Sequence, residues 1–163
     1  MSITTNTGAP AHVDMRGTRF AAWVTTVVIV ATLLVSAVSA VGAAVILGLQ
    51  AVVFAIGAWR GPRQHPYGLI FRRVVAPRIG PVTEREPVPP LKFAQLVGFV
   101  FAVVGVVGFA AGVAALGLIA TALALVAAFL NAAFGICLGC QLYPLAVRVR
   151  RNSSTPSPAS TFK

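Results

Sequence analysis

The sequence predicts an all-α fold: an integral membrane four-helix bundle made of two helical hairpins, with a short interfacial segment in the central loop. Three observations carry that prediction. Of 163 residues, 58% are hydrophobic and 10% are charged. No charge occurs from Phe20 to Trp59 or from Phe93 to Val147, whereas a soluble helix must turn a polar face to water. All 13 lysines and arginines lie in the N-terminal tail, the loop 60–92 or the C-terminal tail.

Met1 to Pro10 is polar and reads as a disordered tail. The pattern is not that of a secretory signal, because the first apolar run is followed by a second one rather than by a cleavage site. Residues 1–18 are expected to form a cytoplasmic tail and 19–148 the membrane domain. The first span is expected at about 20–40 with a turn at Gly42, and the second at about 43–59, short for a membrane helix. The connection 60–92 holds Leu69-Ile-Phe71-Arg72-Arg73-Val-Val, a mixture that favours a short helix lying at the membrane surface. Five prolines between Pro77 and Pro90 predict an extended crossover without helix or strand. The third span is expected at about 93–112, the turn around Gly112, and the fourth span at about 115–136. Residues 149–163, basic and rich in Ser, Thr and Pro, read as a disordered tail.

The short connections near Gly42 and Gly112 carry no basic residue. By the cytoplasmic excess of Lys and Arg in short loops, both termini and the 60–92 loop are expected in the cytoplasm of a cell whose plasma membrane the chain crosses. The net charge of +10 then favours a bilayer with anionic headgroups. No nucleic-acid-binding motif accompanies the charge, so nucleic acid is not an expected partner. Trp59, Tyr67 and Tyr143 fall near the expected cytoplasmic interface, where amphipathic rings anchor.

The chain also repeats itself. Arg19-Phe20-Ala21 and Lys92-Phe93-Ala94 open the first and third spans at an offset of 73, and Tyr67-Gly-Leu69 matches Tyr143-Pro-Leu145 at an offset of 76. The two halves therefore read as parallel repeats. At the second offset, Cys137 and Cys140 fall opposite Gly61 and Gln64. Glycines 98, 105, 108 and 112 have the spacing of a helix-packing surface. Asn131, a carboxamide just before the cysteines, must be paired if buried. It either joins two helices or orients a group near the thiols.

The chemistry of this chain concentrates at Cys137-Leu-Gly-Cys140, its only cysteines. Two thiols three residues apart can close a disulfide and exchange it with a partner. Placed at the C-terminal end of the fourth span, they would sit where the helix dipole disfavours a thiolate, with Arg148 as a compensating charge. His65, Tyr67 and Tyr143 are further candidates for orienting or interfacial roles.

The segments 12–22, His65-Pro-Tyr67-Gly-Leu69-Ile-Phe71-Arg72-Arg73 with Arg78-Ile-Gly80-Pro81, and Phe129-Leu-Asn131 through Cys140 together resemble an uncharacterised bacterial family of four-span membrane proteins, common in actinobacteria. The family is known as a domain of unknown function. The resemblance covers nearly all of residues 12–148. It implies a bacterial inner-membrane protein whose relatives occur beside thioredoxin-like or sulfur-handling proteins, and it transfers no catalytic assignment.

Three classes of function fit these residues. The first is a membrane thiol redox or sulfur-relay component that exchanges electrons through Cys137 and Cys140 with a thioredoxin-like or sulfurtransferase protein. The second is a quinone-linked thiol oxidoreductase, although that plan ordinarily needs a second cysteine pair. The third is a non-enzymatic scaffold or assembly subunit in a membrane complex or homo-oligomer. No cofactor motif is visible, and two cysteines alone do not complete a metal site. Transport is disfavoured because the spans lack ionisable groups.

Overall fold

The computed structural model describes residues 12–80 and 85–152. Four helices are long and apolar enough to cross a membrane: α1 (Met15–Ser36), α2 (Ala40–Arg60), α4 (Val88–Ala110) and α5 (Ala114–Phe134). At 1.5 Å per residue each reaches roughly 30 Å, the thickness of the hydrocarbon layer. Only 22–33% of the residues in each span are buried inside the protein, and the outward residues include Val27, Leu34, Val45, Leu49, Ile119 and Leu123. The chain is a multi-pass integral membrane protein of two hairpins flanking a short non-spanning helical segment.

That segment is α3 (Pro66–Ile70), continued by a π-helical turn (Phe71–Val75) and a 3-10 turn (Ala76–Arg78). Phe71 is buried, packing against Phe20 with ring centroids 5.7 Å apart and against the backbone of Gly17. Arg72, Arg73 and Val74 point outward. The expected surface segment is therefore helical and pinned to the start of α1.

Several boundaries differ from the sequence reading. Helix α1 begins at Met15 because Asp14 caps it, accepting the Arg16 amide at 3.0 Å. The first hairpin turns at 37–39 rather than at Gly42, since Ser39 caps α2 by accepting the Gly42 amide at 3.0 Å. Gly42 lies inside α2, facing Val35 across the turn. Helix α4 starts at Val88, and Pro89 and Pro90 fit its first turn, where their missing amides would have no partner anyway. The crossover and the N-terminal segment also contribute strand: β1 (His12–Asp14) pairs antiparallel with β2 (Arg85–Pro87), His12 opposite Pro87. Residues 149–152, expected in a tail, belong to a further helix, α6 (Leu138–Asn152). Of the expected tails, 1–18 and 149–163, residues 1–11 and 153–163 lie outside the described residues.

The elements repeat as strand, helix, helix, short helix: β1-α1-α2-α3 and β2-α4-α5-α6. Packing follows the same exchange, with α2 against α4 and α5 against α1, α3 against α1 and α6 against α4. A two-fold relation between the halves requires this pattern.

At the turn end the bundle is tight. A Cβ on Gly108 would lie 2.5 Å from the Gly117 backbone nitrogen, and the Phe109 ring covers Gly117. Leu47, Ala102 and Phe109 belong to the core there, and Phe54 extends it toward the cavity. Thr26, Thr32 and Thr121 satisfy their hydroxyls on carbonyls four residues back. The expected close packing at Gly98, Gly105 and Gly108 is present, whereas Gly112 is a turn residue with nothing near it.

Candidate functional site

Helix α5 stops at Gly135, whose φ of 69° is open to glycine at low cost. Arg19 of α1 donates to the last carbonyls of α5, Ala132 O at 3.3 Å and Ala133 O at 3.2 Å. These bonds fix the two-residue turn that delivers Cys137. The chain then restarts as α6. The Gln141 amide donates to Cys137 O at 3.0 Å, and the Cys140 amide donates to Cys137 Sγ at 3.3 Å. Cys137 thus occupies the cap of α6 and Cys140 its first turn. The sequence reading placed both thiols at a helix C-terminus. The structure places them at a helix N-terminus, where unsatisfied amides favour negative charge on sulfur. Arg148, the proposed compensating charge, is exposed on α6, roughly 16 Å further along the helix by its rise.

Both cysteines are partly accessible and unoxidised. Gly139 between them lets α6 lie against the Ala94 backbone of α4. Tyr143, one turn on, is half-buried against Phe93, ring centroids 6.1 Å apart.

Behind Cys137 the bundle opens into a cavity of about 520 Å³. Its outer wall includes Asp14, Arg63, Arg72 and Leu138, and it runs inward past Ala94 and Asn131 to Thr25, Phe101 and Ala124. Among the described residues the Asn131 side chain has no hydrogen-bond partner, so neither expected role is realised through a direct bond. It shares the cavity wall with Cys137.

His65 is the most unusual lining residue. It is 3% exposed, and neither Nδ1 nor Nε2 has a hydrogen-bond partner among the described residues. Burial lowers its pKa to about 4, so the ring is neutral at neutral pH. The Gln95 carboxamide approaches closely enough to oppose that shift, yet Gln95 Oε1 is itself buried and unpartnered. The contact therefore falls short of hydrogen-bond geometry. Each such orphan costs on the order of 1–3 kcal/mol. His65 also occupies the cap of α3, its carbonyl accepting the Leu69 amide, and so it stands in the first repeat where Cys137 stands in the second.

Tyr67 lies with its ring edge toward His65, centroids 5.2 Å apart, and its hydroxyl donates to Gln50 Oε1 at 2.8 Å. Gln50 Nε2 reaches Thr25 Oγ1 at the 3.5 Å limit. Burial raises the Tyr67 phenol above its usual pKa. Tyr67 thus points into the bundle, while Trp59 remains 65% exposed beside Phe99. Sequence reasoning missed Gln50 and Gln95. With Asn131 they are the carboxamides of the four spans, and a polar group at that depth was the available signal.

Around the mouth, arginines hold backbone. Arg63 donates to His12 O, and Arg16, ion-paired with Asp14 at 3.1 Å, reaches Ile79 O and Gly80 O. No group of three or more His, Cys, Asp and Glu able to hold a metal occurs among the described residues.

Residues 13–148 match the family described as Domain of unknown function (DUF4395), and the chain belongs to it. No curated protein and no solved structure matches the chain.

Proposed function

We propose that this DUF4395 member is a membrane-embedded thiol redox or sulfur-relay component whose working groups are Cys137 and Cys140. The observation that carries the reading is the cap geometry of α6, in which the Cys140 amide donates to Cys137 Sγ. A cysteine held at a helix start, one turn from a second cysteine, has the stabilised sulfur and the resolving neighbour that disulfide exchange needs.

The exchange begins with the Cys137 thiolate attacking one sulfur of a partner disulfide. A bond forms between the chains as the partner's S–S bond breaks, and the leaving thiolate takes up a proton. The Cys140 thiolate then attacks Cys137 Sγ and releases the partner as a dithiol, leaving a Cys137–Cys140 disulfide. Reversal carries two electrons the other way. The partner class is a thioredoxin-like or sulfurtransferase protein, reached on the cytoplasmic side, where anionic headgroups attract the basic loop and tails. Asn131 shares the cavity wall with Cys137, and Tyr143 seats α6 on α4.

Cys140→Ser leaves Cys137 without its resolving thiol, so cells expressing it should accumulate a mixed disulfide with one specific partner, absent from Cys137→Ser. A midpoint potential for the pair measured in lipid should fall within the physiological range. If no disulfide forms and no adduct appears, the scaffold reading replaces this one.

A further inference from the structure

We propose that the cavity at the basic end of the bundle is a binding site for a membrane quinone, its ring against His65, Gln95 and Cys137 and its apolar tail between α1, α4 and α5. The electron-transfer half of this proposal rests on the dithiol reading above; the binding half does not.

The shape argues first. Along α4 the lining runs from Leu91 to Phe101 and along α1 from Gly17 to Thr25, a depth of roughly 15 Å at the helical rise. The inner end therefore reaches the middle of the spans, where only hydrocarbon is at home. The 520 Å³ volume lies in the range that takes a small-molecule ligand.

Unsatisfied polar groups argue for the head. A neutral imidazole offers one donor and one acceptor. Gln95 Oε1, the nearest buried group, can at most take the donor, so one ring nitrogen stays unpaired inside a 3%-exposed residue. A ligand that brings both an acceptor and, after reduction, a donor answers both needs. The two imidazole nitrogens and Gln95 Oε1 have almost no surface open to the cavity, so binding turns the His65 ring toward it; a quinone carbonyl then accepts from the imidazole N–H, and the quinol hydroxyl donates to the remaining nitrogen or to Gln95 Oε1. A carboxylate or phosphate head would find only neutral groups at this depth, since Arg63 and Arg72 are exposed at the rim.

The third argument is the reactive neighbour. Cys137 lines the same cavity, and a membrane dithiol needs a two-electron acceptor that travels in the membrane. Transfer balances without another reactant: two S–H bonds break and the Cys137–Cys140 bond forms. The two electrons and two protons convert the quinone carbonyls to quinol hydroxyls, with His65 beside the ring to pass a proton. A partner dithiol reduces the disulfide again, so electrons enter from the soluble side and leave into the bilayer.

The test uses the full chain in phosphatidylcholine nanodiscs. Decylubiquinone should bind Cys137→Ser/Cys140→Ser protein at one saturable site. Binding should weaken about tenfold in an added His65→Ala, the loss of one hydrogen bond, and less in His65→Gln. Ala127→Phe, which fills the α5 wall and leaves His65 in the chain, should abolish it, and this variant decides if His65→Ala fails to fold. Affinity indifferent to His65→Ala and Ala127→Phe, or displacement by equimolar oleate or phosphatidylglycerol, would overturn the site. In the second arm, reduced protein with native cysteines should form one quinol per disulfide under anaerobic conditions. Binding without quinol defeats the dithiol reading and leaves the site standing. Quinol formed equally fast by the Ala127→Phe protein defeats the site and leaves the dithiol reading standing.

Discussion

The amide of Cys140 donates to the sulfur of Cys137 across 3.3 Å, at the first turn of α6. With both thiols free, the two residues are therefore coupled by backbone geometry. Cys137 serves as both helix cap and candidate nucleophile, so its sulfur is held at a fixed place relative to the cavity wall and to the resolving thiol.

Replacing Cys137 separates the two roles. Serine can still accept the Cys140 amide, so Cys137→Ser should keep α6 intact while removing the thiol. Cys137→Ala should fray the first turn by about 1 kcal/mol. Amide exchange at residues 138–141 in detergent would distinguish them, and equal protection in both variants would deny the cap any energetic role.

His65 predicts a pH dependence with a definite sign. Its folded pKa of about 4 lies below the ordinary histidine value of 6.5, so the unfolded chain binds more protons between these values. Stability should rise with pH through that window. The contribution is complete above about pH 6.5 and is lost as pH falls through 4, on the order of 3 kcal/mol in all. The groups facing the ring are uncharged Gln95 and Tyr67, and neither titrates in the window. His65→Gln should flatten the curve of thermal midpoint against pH between 4 and 6.5; an unchanged slope would show that other groups carry it.

The four spans were legible because length, absence of charge and basic flanks all point the same way, and a membrane leaves few alternatives. Helix α6 was not. Gly135 and Gly139 argue for a break, and Pro144 removes an intrahelical bond. Yet Gly139 and Tyr143 face Ala94 and Phe93 of α4, while Leu138, Leu142, Leu145 and Val149 form an exposed apolar stripe. The repeat was legible through Arg19 and Lys92, whose offset of 73 also relates β1 to β2. The sequence offset of 76 set Cys137 opposite Gly61, whereas the starts of α3 and α6 set it opposite His65. The loops between α2 and α3 and between α5 and α6 differ in length, and that difference moves the register. The cavity depends on space left between helices, which no local pattern records.

Gly108 should be intolerant of any side chain. Its added Cβ would meet the Gly117 backbone, which cannot give as a side-chain tip can. Gly108→Ala should cost about 1–3 kcal/mol by forcing α4 from α5. Val107→Ala, at a lipid-facing position 55% exposed, should stay within about 0.5 kcal/mol. Unfolding in mixed detergent compares the two.

Arg19 ties α1 to the end of α5 through carbonyls that have no helical partner. Arg19→Met keeps the stem and removes these charge-assisted bonds, for a loss of about 1.5–3 kcal/mol. Because the same turn delivers Cys137, the rate of iodoacetamide modification at Cys137 should change as well. A variant that loses stability with the thiol rate unchanged would confine Arg19 to a structural role.

The charge map predicts which way the bundle faces. The hairpin turns at 37–39 and 111–113 carry no Lys or Arg, while the opposite end carries all of the described ones. In the cytoplasmic orientation, that end would meet the inner leaflet and Cys137 and Cys140 would work among reduced thiols. There a disulfide turns over rather than stapling the fold. On a Cys137→Ser/Cys140→Ser background, Val38→Cys, 86% exposed on the first turn, should react with an impermeant maleimide in intact cells. Gly80→Cys, exposed in the central connection, should react only after permeabilisation. Labelling of Gly80→Cys in intact cells would reverse the orientation, expose the thiol pair to the outside, and remove soluble cytoplasmic proteins as its partners.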